Sequence, residues 1–244
     1  MWQLRKLSDL NGFKIDARDG EIGNLKQIYF DDQSWVVRYF VVHTGSWLLG
    51  RDVLIVPSMI LSIDHEKGTI AVKLTRNQVE HAPPIETEQP VSRHYEQEYY
   101  SYYNWEPYWP GGPISGTIPP ASPFIEPKVP GKPENPHLRS SDEVAGYHIK
   151  TTDDGIGHVE DYILDDRDWT IRYLEIDTRN WLPGIKVLVS PAWIEDVDWV
   201  HQEVSVNLSR ELIKTAPEYD PDKIISRNYE LALYKHYGKA LHQK

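Results

Sequence analysis

Two acidic doublets, Asp31-Asp32 and Asp165-Asp166, are the residues of this sequence best suited by type to hold a hard cation, because such ions take carboxylate oxygens as ligands. Neither doublet has the ligand spacing of a calcium loop. Aspartate between two strands also accepts hydrogen bonds from the backbone just ahead of it, so both doublets are read as turns. His43, followed by Thr44, and Asp177 are a second chemical possibility, a base and an acid. Proton transfer needs a positioned partner and a pocket, and no third group is named by the sequence. No GxSxG, HExxH, phosphate-loop or dinucleotide fingerprint occurs, and no cysteine is present to act as nucleophile or thiolate ligand. The expectation is a protein that is not an enzyme, with no catalytic, cofactor-binding or metal residue and no cofactor.

Aromatic residues offer a different kind of chemistry, the anchoring of a partner. Trp47 and Trp181 each open a WLxG turn, where a large ring either plugs the end of a β-structure or projects toward another molecule. Tyr95, Tyr99 and Tyr103 recur at helical spacing, and Trp105 and Trp109 follow them. Trp47, Trp181, Tyr95, Tyr99, Trp105 and Trp109 are therefore the candidate interaction surface. Stacking on nucleic-acid bases is disfavoured by a net charge of −11 and a pI near 5.4, and the basic residues are scattered. Docking of the tyrosine helix on its own domain is the preferred use, and a protein is the expected partner.

The elements that must position these residues are organised by an internal repeat. A shift of 134 positions carries Gly12 onto Gly146, Asp31-Asp32 onto Asp165-Asp166, Trp35, Arg38 and Tyr39 onto Trp169, Arg172 and Tyr173, and Trp47-Leu48 onto Trp181-Leu182, without a gap. It continues through Pro57 and Pro191, Ala82-Pro83 and Ala216-Pro217, and Tyr95-Glu96 and Tyr229-Glu230. Within the first copy, β-type runs are expected at 13–16, 23–30, 35–43, 53–57, 61–64 and 69–74, separated by turn signals at Asp19-Gly20, DDQS and Lys67-Gly68. Arg38 and Arg172 fall in phase with the apolar face, which a strand bend or an edge position would explain.

Thr75 and Ser209 stand where helix N-caps belong, with Gln78 completing a capping box, and Pro83 and Pro217 end these short helices. Between the copies, residues 105–139 hold ten of the 18 prolines and read as a linker. The expected domains are 1–104, a proline- and aromatic-rich linker over 105–139, and 140–244. Neither a signal-peptide core in the opening MWQLRKLSDL nor a run of 18 apolar residues occurs, so no integral membrane segment is expected and the cytoplasm is the expected location.

The order LNGFKI, DGEIGNL, acidic turn, RYFVV, VLIVP and TIAVKLTRNQVEHAP, repeated as VAGYHI, GIGHV, RYLEI, KVLVSP and EVSVNLSRELIKTAP, resembles two PRC-barrel domains in tandem. That fold is the cytoplasmic part of the photosynthetic reaction-centre H subunit and the C-terminal domain of a ribosome-maturation factor. The resemblance implies a mainly β chain: two small six-stranded β-barrels, each followed by short helices. It implies no shared catalytic residue. The expected function is non-catalytic binding or scaffolding through exposed barrel faces and loops, with the barrels packed as an intramolecular pseudo-dimer and a homo-oligomer open as a further possibility. The alternatives are a small-molecule or metal-dependent enzyme with a site between the barrels, and a soluble adaptor to a membrane-associated complex.

Overall fold

The computed structural model describes residues 3–83, 91, 93–109, 137–178 and 185–240. The first repeat supplies β2 (Lys14–Ala17), β3 (Gly20–Asp31), β4 (Val37–His43), β5 (Asp52–Ile55), β6 (Ile60–Asp64) and β7 (Thr69–Val72), after a short β1 (Leu4–Lys6). The second supplies β9 (His148–Lys150), β10 (Gly155–Asp165), β11 (Thr170–Asp177), β12 (Lys186–Val189), β13 (Ile194–Asp198) and β14 (Glu203–Val206), after β8 (Leu138–Ser140). Helices α1 (Arg76–Glu80) and α2 (Arg93–Tyr103) follow the first set, α3 (Ser141–Val144) lies between β8 and β9, and α4 (Arg210–Lys214) and α5 (Arg227–His236) follow the second.

The strands form two seven-stranded sheets of the same topology, which is the mainly β, tandem architecture the repeat implies. One runs β5-β4-β3-β2-β7-β6 and the other β12-β11-β10-β9-β14-β13. Each is an open hydrogen-bonded path rather than a closed ring. The seventh strand of each was not foreseen: β1 pairs with β10, and β8 pairs with β3. Compact units therefore cut across the repeat. One gathers Met1–Asn11, Gln27–Arg38 and Ser140–Lys244, and the other Gly12–Lys26 and Tyr39–Arg139.

In the unit containing Ser140–Lys244, β10 is long enough for one of its edges to serve two strands. Residues Gly155–His158 pair with β9, and Ile163–Asp165 pair with β1 through Leu4↔Asp165, Arg5↔Leu164 and Lys6↔Ile163. Three residues are too few for a stable strand by themselves. Side chains secure this one: Asp166 accepts from the Gln3 amide at 2.9 Å and from Arg5 Nε at 3.1 Å, and Asp161 accepts from the Ser8 amide at 3.2 Å. Along the other edge, Arg172 is the extra residue where Ile163↔Tyr173 passes to Leu164↔Ile171. The in-phase arginine thus marks a β-bulge, the strand bend of the two explanations above. It reaches Asp165 at 3.4 Å.

The same unit buries Ile28, Phe30, Ile163, Leu164 and Leu174 completely, with Phe30 stacked on Trp35 at 5.2 Å. Each such side chain contributes about 1.5–3 kcal/mol by leaving water. In the other unit Ile15, Ile22, Phe40, Val42, Leu54 and Ile70 form the core, and α1 is closed by the expected capping box between Thr75 and Gln78. Ser209 caps α4 by accepting from the Leu212 amide.

Gly23 in β3 and Gly157 in β10 hold φ at +151° and +150°. A Cβ at Gly23 would lie 2.2 Å from the His43 carbonyl oxygen, and one at Gly157 would lie 1.9 Å from that of Asp177. Backbone, not a movable side chain, fills that space. We expect Gly157→Ala to lower unfolding free energy by roughly 3 kcal/mol or more, combining overpacking with backbone strain. Gly146→Ala, at φ +88° with nothing within 4 Å, should cost only about 1 kcal/mol. Urea denaturation of both variants checks the ranking.

Candidate interaction site

Buried carboxylates of the helices are held by tyrosines of the sheets. Glu96 of α2 is 1% exposed and accepts the hydroxyl protons of Tyr39 and Tyr108, each at 2.7 Å, while Arg93 lies 2.9 Å away. In the second repeat, Glu230 of α5 accepts from Tyr173 at 2.9 Å, with Arg227 at 3.7 Å. Burial, then the charge of Glu96, raises the Tyr39 pKa well above its ordinary value, and burial followed by Glu230 does the same for Tyr173. Both phenols stay protonated and act as donors. These nodes dock the tyrosine helices on their own sheets.

A second set of charges lies on the β10, β11 and β12 strands. Glu175 is fully buried and bound by Lys186 at 2.8 Å, Lys6 at 3.1 Å and the Tyr219 hydroxyl at 2.9 Å. Burial would lower the Lys186 pKa, but hydrogen bonds to Glu160 and Glu175 outweigh it and the value is raised. Asp161 shows the opposite balance: burial raises its pKa despite hydrogen bonds from Ser8 and Tyr162. In the first repeat the corresponding cross-strand pair has reversed polarity, with Lys26 2.9 Å from Asp52. His43 Nδ1 lies 2.7 Å from the same Asp52. Burial opposes ionisation of Asp52, but the His43 and Lys26 hydrogen bonds prevail and hold its pKa below the usual carboxylate value.

The candidate acid and base therefore each have a partner in their own unit, since Asp177 stands 3.8 Å from His158. The acidic doublets are turns. Asp31 accepts from the Gln33 and Ser34 amides, and Asp165 from Arg167, whose hydrogen bonds overcome burial and depress the Asp165 pKa. Among the described residues no three His, Asp or Glu side chains are grouped to hold a metal ion.

Of the aromatic candidates, Tyr99 is 1% exposed and its hydroxyl accepts from the Leu54 amide, so it faces the core. Tyr95 is half-buried. Trp105 stacks on Tyr103 at 4.2 Å, and Trp109 meets Tyr100 edge-on at 4.9 Å with the Arg93 guanidinium over its ring at 4.3 Å. These rings spend their faces on one another. Trp181 lies outside the described residues. Trp47 is half-buried beneath Arg76, whose guanidinium sits 4.5 Å from the ring centre.

The side chain that the 44–51 loop does present is one the sequence reading passed over. Leu49 is 99% exposed and held at φ +56°. The loop beneath it is tied by Gly50 N–H to Gly45 O at 2.6 Å, Arg51 N–H to Leu48 O at 3.1 Å and Thr44 N–H to Arg51 O at 3.1 Å. Leucine rarely adopts a left-handed backbone, at a cost of about 1–2 kcal/mol. The only sequence signal was its place inside the WLLG turn.

Residues 4–79 match the family model of the PRC-barrel domain. This segment is a PRC-barrel domain. No curated protein matches the chain. The second copy rests on the gapless repeat and on the shared sheet topology, beyond the reach of the PRC-barrel match. Among the described residues no helix is long and apolar enough to cross a membrane.

Two predictions follow from the buried charges. Tyr173→Phe should cost about 1.5–3 kcal/mol because it removes a donor from a buried carboxylate, and Tyr39→Phe should cost less because Tyr108 still donates to the same oxygen of Glu96. Equal losses would contradict this. For Asp161, the folded pKa lies above the unfolded one. Its contribution is thus full below the unfolded value of about 3.9 and is lost as pH rises through the folded value. Asp161→Asn should therefore gain stability relative to the parent as pH climbs from about 4 to 7, a difference that urea midpoints across that range will show or refute.

Proposed function

We propose that this PRC-barrel protein is a non-catalytic binding module that engages a protein partner through the loop 44–51 of its first repeat, with Leu49 as the anchor and Trp47 as its support. The single observation behind this reading is a leucine displayed almost completely to water in a backbone conformation unfavourable to it. An isolated exposed leucine would be ordinary. One kept in a strained, hydrogen-bonded loop is different, because strain of this kind persists where surrounding structure enforces it and gathers at binding positions.

The charge network supports the same reading. Glu96, Glu175 and Glu230 are each engaged by named phenols, lysines or arginines. Their arrangement stabilises the docking of helices and of β1 on the sheets. What remains for recognition is the outside of the domain, and loops carry recognition because a rigid scaffold positions them.

The test separates function from folding. Leu49→Asn keeps a residue that tolerates left-handed φ, so stability should stay level or rise by up to about 1 kcal/mol. Removal of a central apolar anchor should weaken partner binding by roughly 10- to 30-fold, the usual cost of about 2 kcal/mol. A photo-cross-linker placed at position 49 in the native cell identifies the partner, and Leu49→Asn in competition measures the loss. If the variant binds that partner as tightly as the parent, the loop is not the site.

A further inference from the structure

One transverse row of the second sheet contains metal-ligating residue types on consecutive strands. Glu203 of β14 is the register partner of His148 in β9, His148 is that of His158 in β10, and His158 is that of Asp177 in β11. The antiparallel register partners His148 and His158 carry their side chains on the same face, with Cα atoms about 4.5–5.5 Å apart. That spacing lets two imidazoles reach one ion at the usual distance of about 2.0–2.1 Å per nitrogen.

The surroundings leave room for it. His148, His158 and Glu203 line one open depression of about 640 Å³. His148 is exposed, and His158 is 34% exposed at its side chain. Glu203 is paired with Lys150 at 3.1 Å, and the carboxylate of Asp177 stands 3.8 Å from His158 Nε2, so Asp177 is the acid nearest that ring. The first repeat has no such row: Thr69, Lys14, Asn24 and His43 occupy the corresponding positions.

We propose that His148 and His158 form the core of a binding site for one borderline divalent transition-metal ion of the zinc and nickel class. Imidazole nitrogen suits these ions, while calcium and magnesium call for oxygen donors. Among the described residues no three ligand-type side chains are gathered at one point, so binding draws the two rings together and leaves the remaining positions to Asp177 and water. His148 and His158 both line the depression, which gives an ion access to their rings.

The experiment titrates the full-length protein, stripped with a chelator, with zinc chloride and separately with nickel chloride by calorimetry at pH 7.5. The parent should bind one ion per chain beyond weak surface uptake. The paired substitutions His148→Lys and His158→Asn install the residues that the first repeat carries at these places, and should weaken binding by at least 10-fold with the metal-free urea midpoint unchanged. His201→Ala, which removes an exposed histidine lying 2.6 Å from Asp198, should bind as the parent does. Equal binding by the parent and the paired variant would overturn the site, as would loss in His201→Ala. If the paired variant folds poorly, imidazole nitrogen resonances of the parent decide: movement at His148 and His158 on zinc addition supports the site, and movement confined to other histidines refutes it.

Discussion

At the same point of both repeats, a backbone carbonyl lies in the space that a side chain would otherwise occupy. The oxygen of His43 approaches Gly23, and that of Asp177 approaches Gly157, to 2.2 and 1.9 Å of where a Cβ would be. A glycine at these places lets the last carbonyl of the neighbouring strand, β4 or β11, come against the long strand β3 or β10 where a side chain would stand. β10 passes from β9 to β1 along its other edge, and the bulges beside Glu160 and Arg172 absorb the resulting twist. A Cβ at Gly157 would meet the Asp177 carbonyl, so β10 or β11 would have to shift there.

Charge follows from that geometry. Strands that cross closely bring residues on β10, β11 and β12 under cover before all of them are apolar, so the fold needs compensation rather than any particular sign. The repeats meet the need in opposite ways, with Lys26 against Asp52 in one and Glu160 against Lys186 in the other. Removing one member would strand a partly buried charge, whereas exchanging both leaves the balance intact. The Glu96 and Glu230 nodes are the contrary case. There the same acid, tyrosine and arginine recur, because a helix must dock at one fixed place on each sheet.

Much of this was legible in the sequence, for physical reasons that also mark where legibility ended. Turn glycines, the Thr75 capping box and the turn carboxylates Asp31 and Asp165 act over a few neighbouring residues, so their types and spacing carried the information. The bulge at Arg172 showed itself as a polar residue in apolar phase, but choosing bend over edge required the register opposite it. The strands β1 and β8 left no trace, since three residues give no alternation to read and their hold comes from distant groups such as Asp166. Tyr99 and Tyr95 looked alike on a helical stripe, yet only Tyr99 meets the core, where it accepts from the Leu54 amide. Leu49 was hidden for the opposite reason: nothing in a leucine's identity announces a left-handed backbone.

The two copies also divide structural from recognitional residues. A position that keeps its chemistry in both repeats answers a demand both sheets make, as Gly23 and Gly157 or Glu96 and Glu230 do. Such conservation between copies argues against a role in binding something particular to one of them. Divergence at a position whose counterpart keeps the same strand register is the more informative signal. The row Glu203, His148, His158 and Asp177 replaces Thr69, Lys14, Asn24 and His43 on a strand arrangement that is otherwise the same, and no packing requirement calls for histidine where lysine and asparagine serve the sister sheet. The scaffold therefore tolerates either set, which frees this face of the second repeat to acquire a ligand of its own while the first presents Leu49 from a loop. Duplication of the domain thus supplies two frameworks built on one set of constraints, and their outward surfaces are where the chemistry differs.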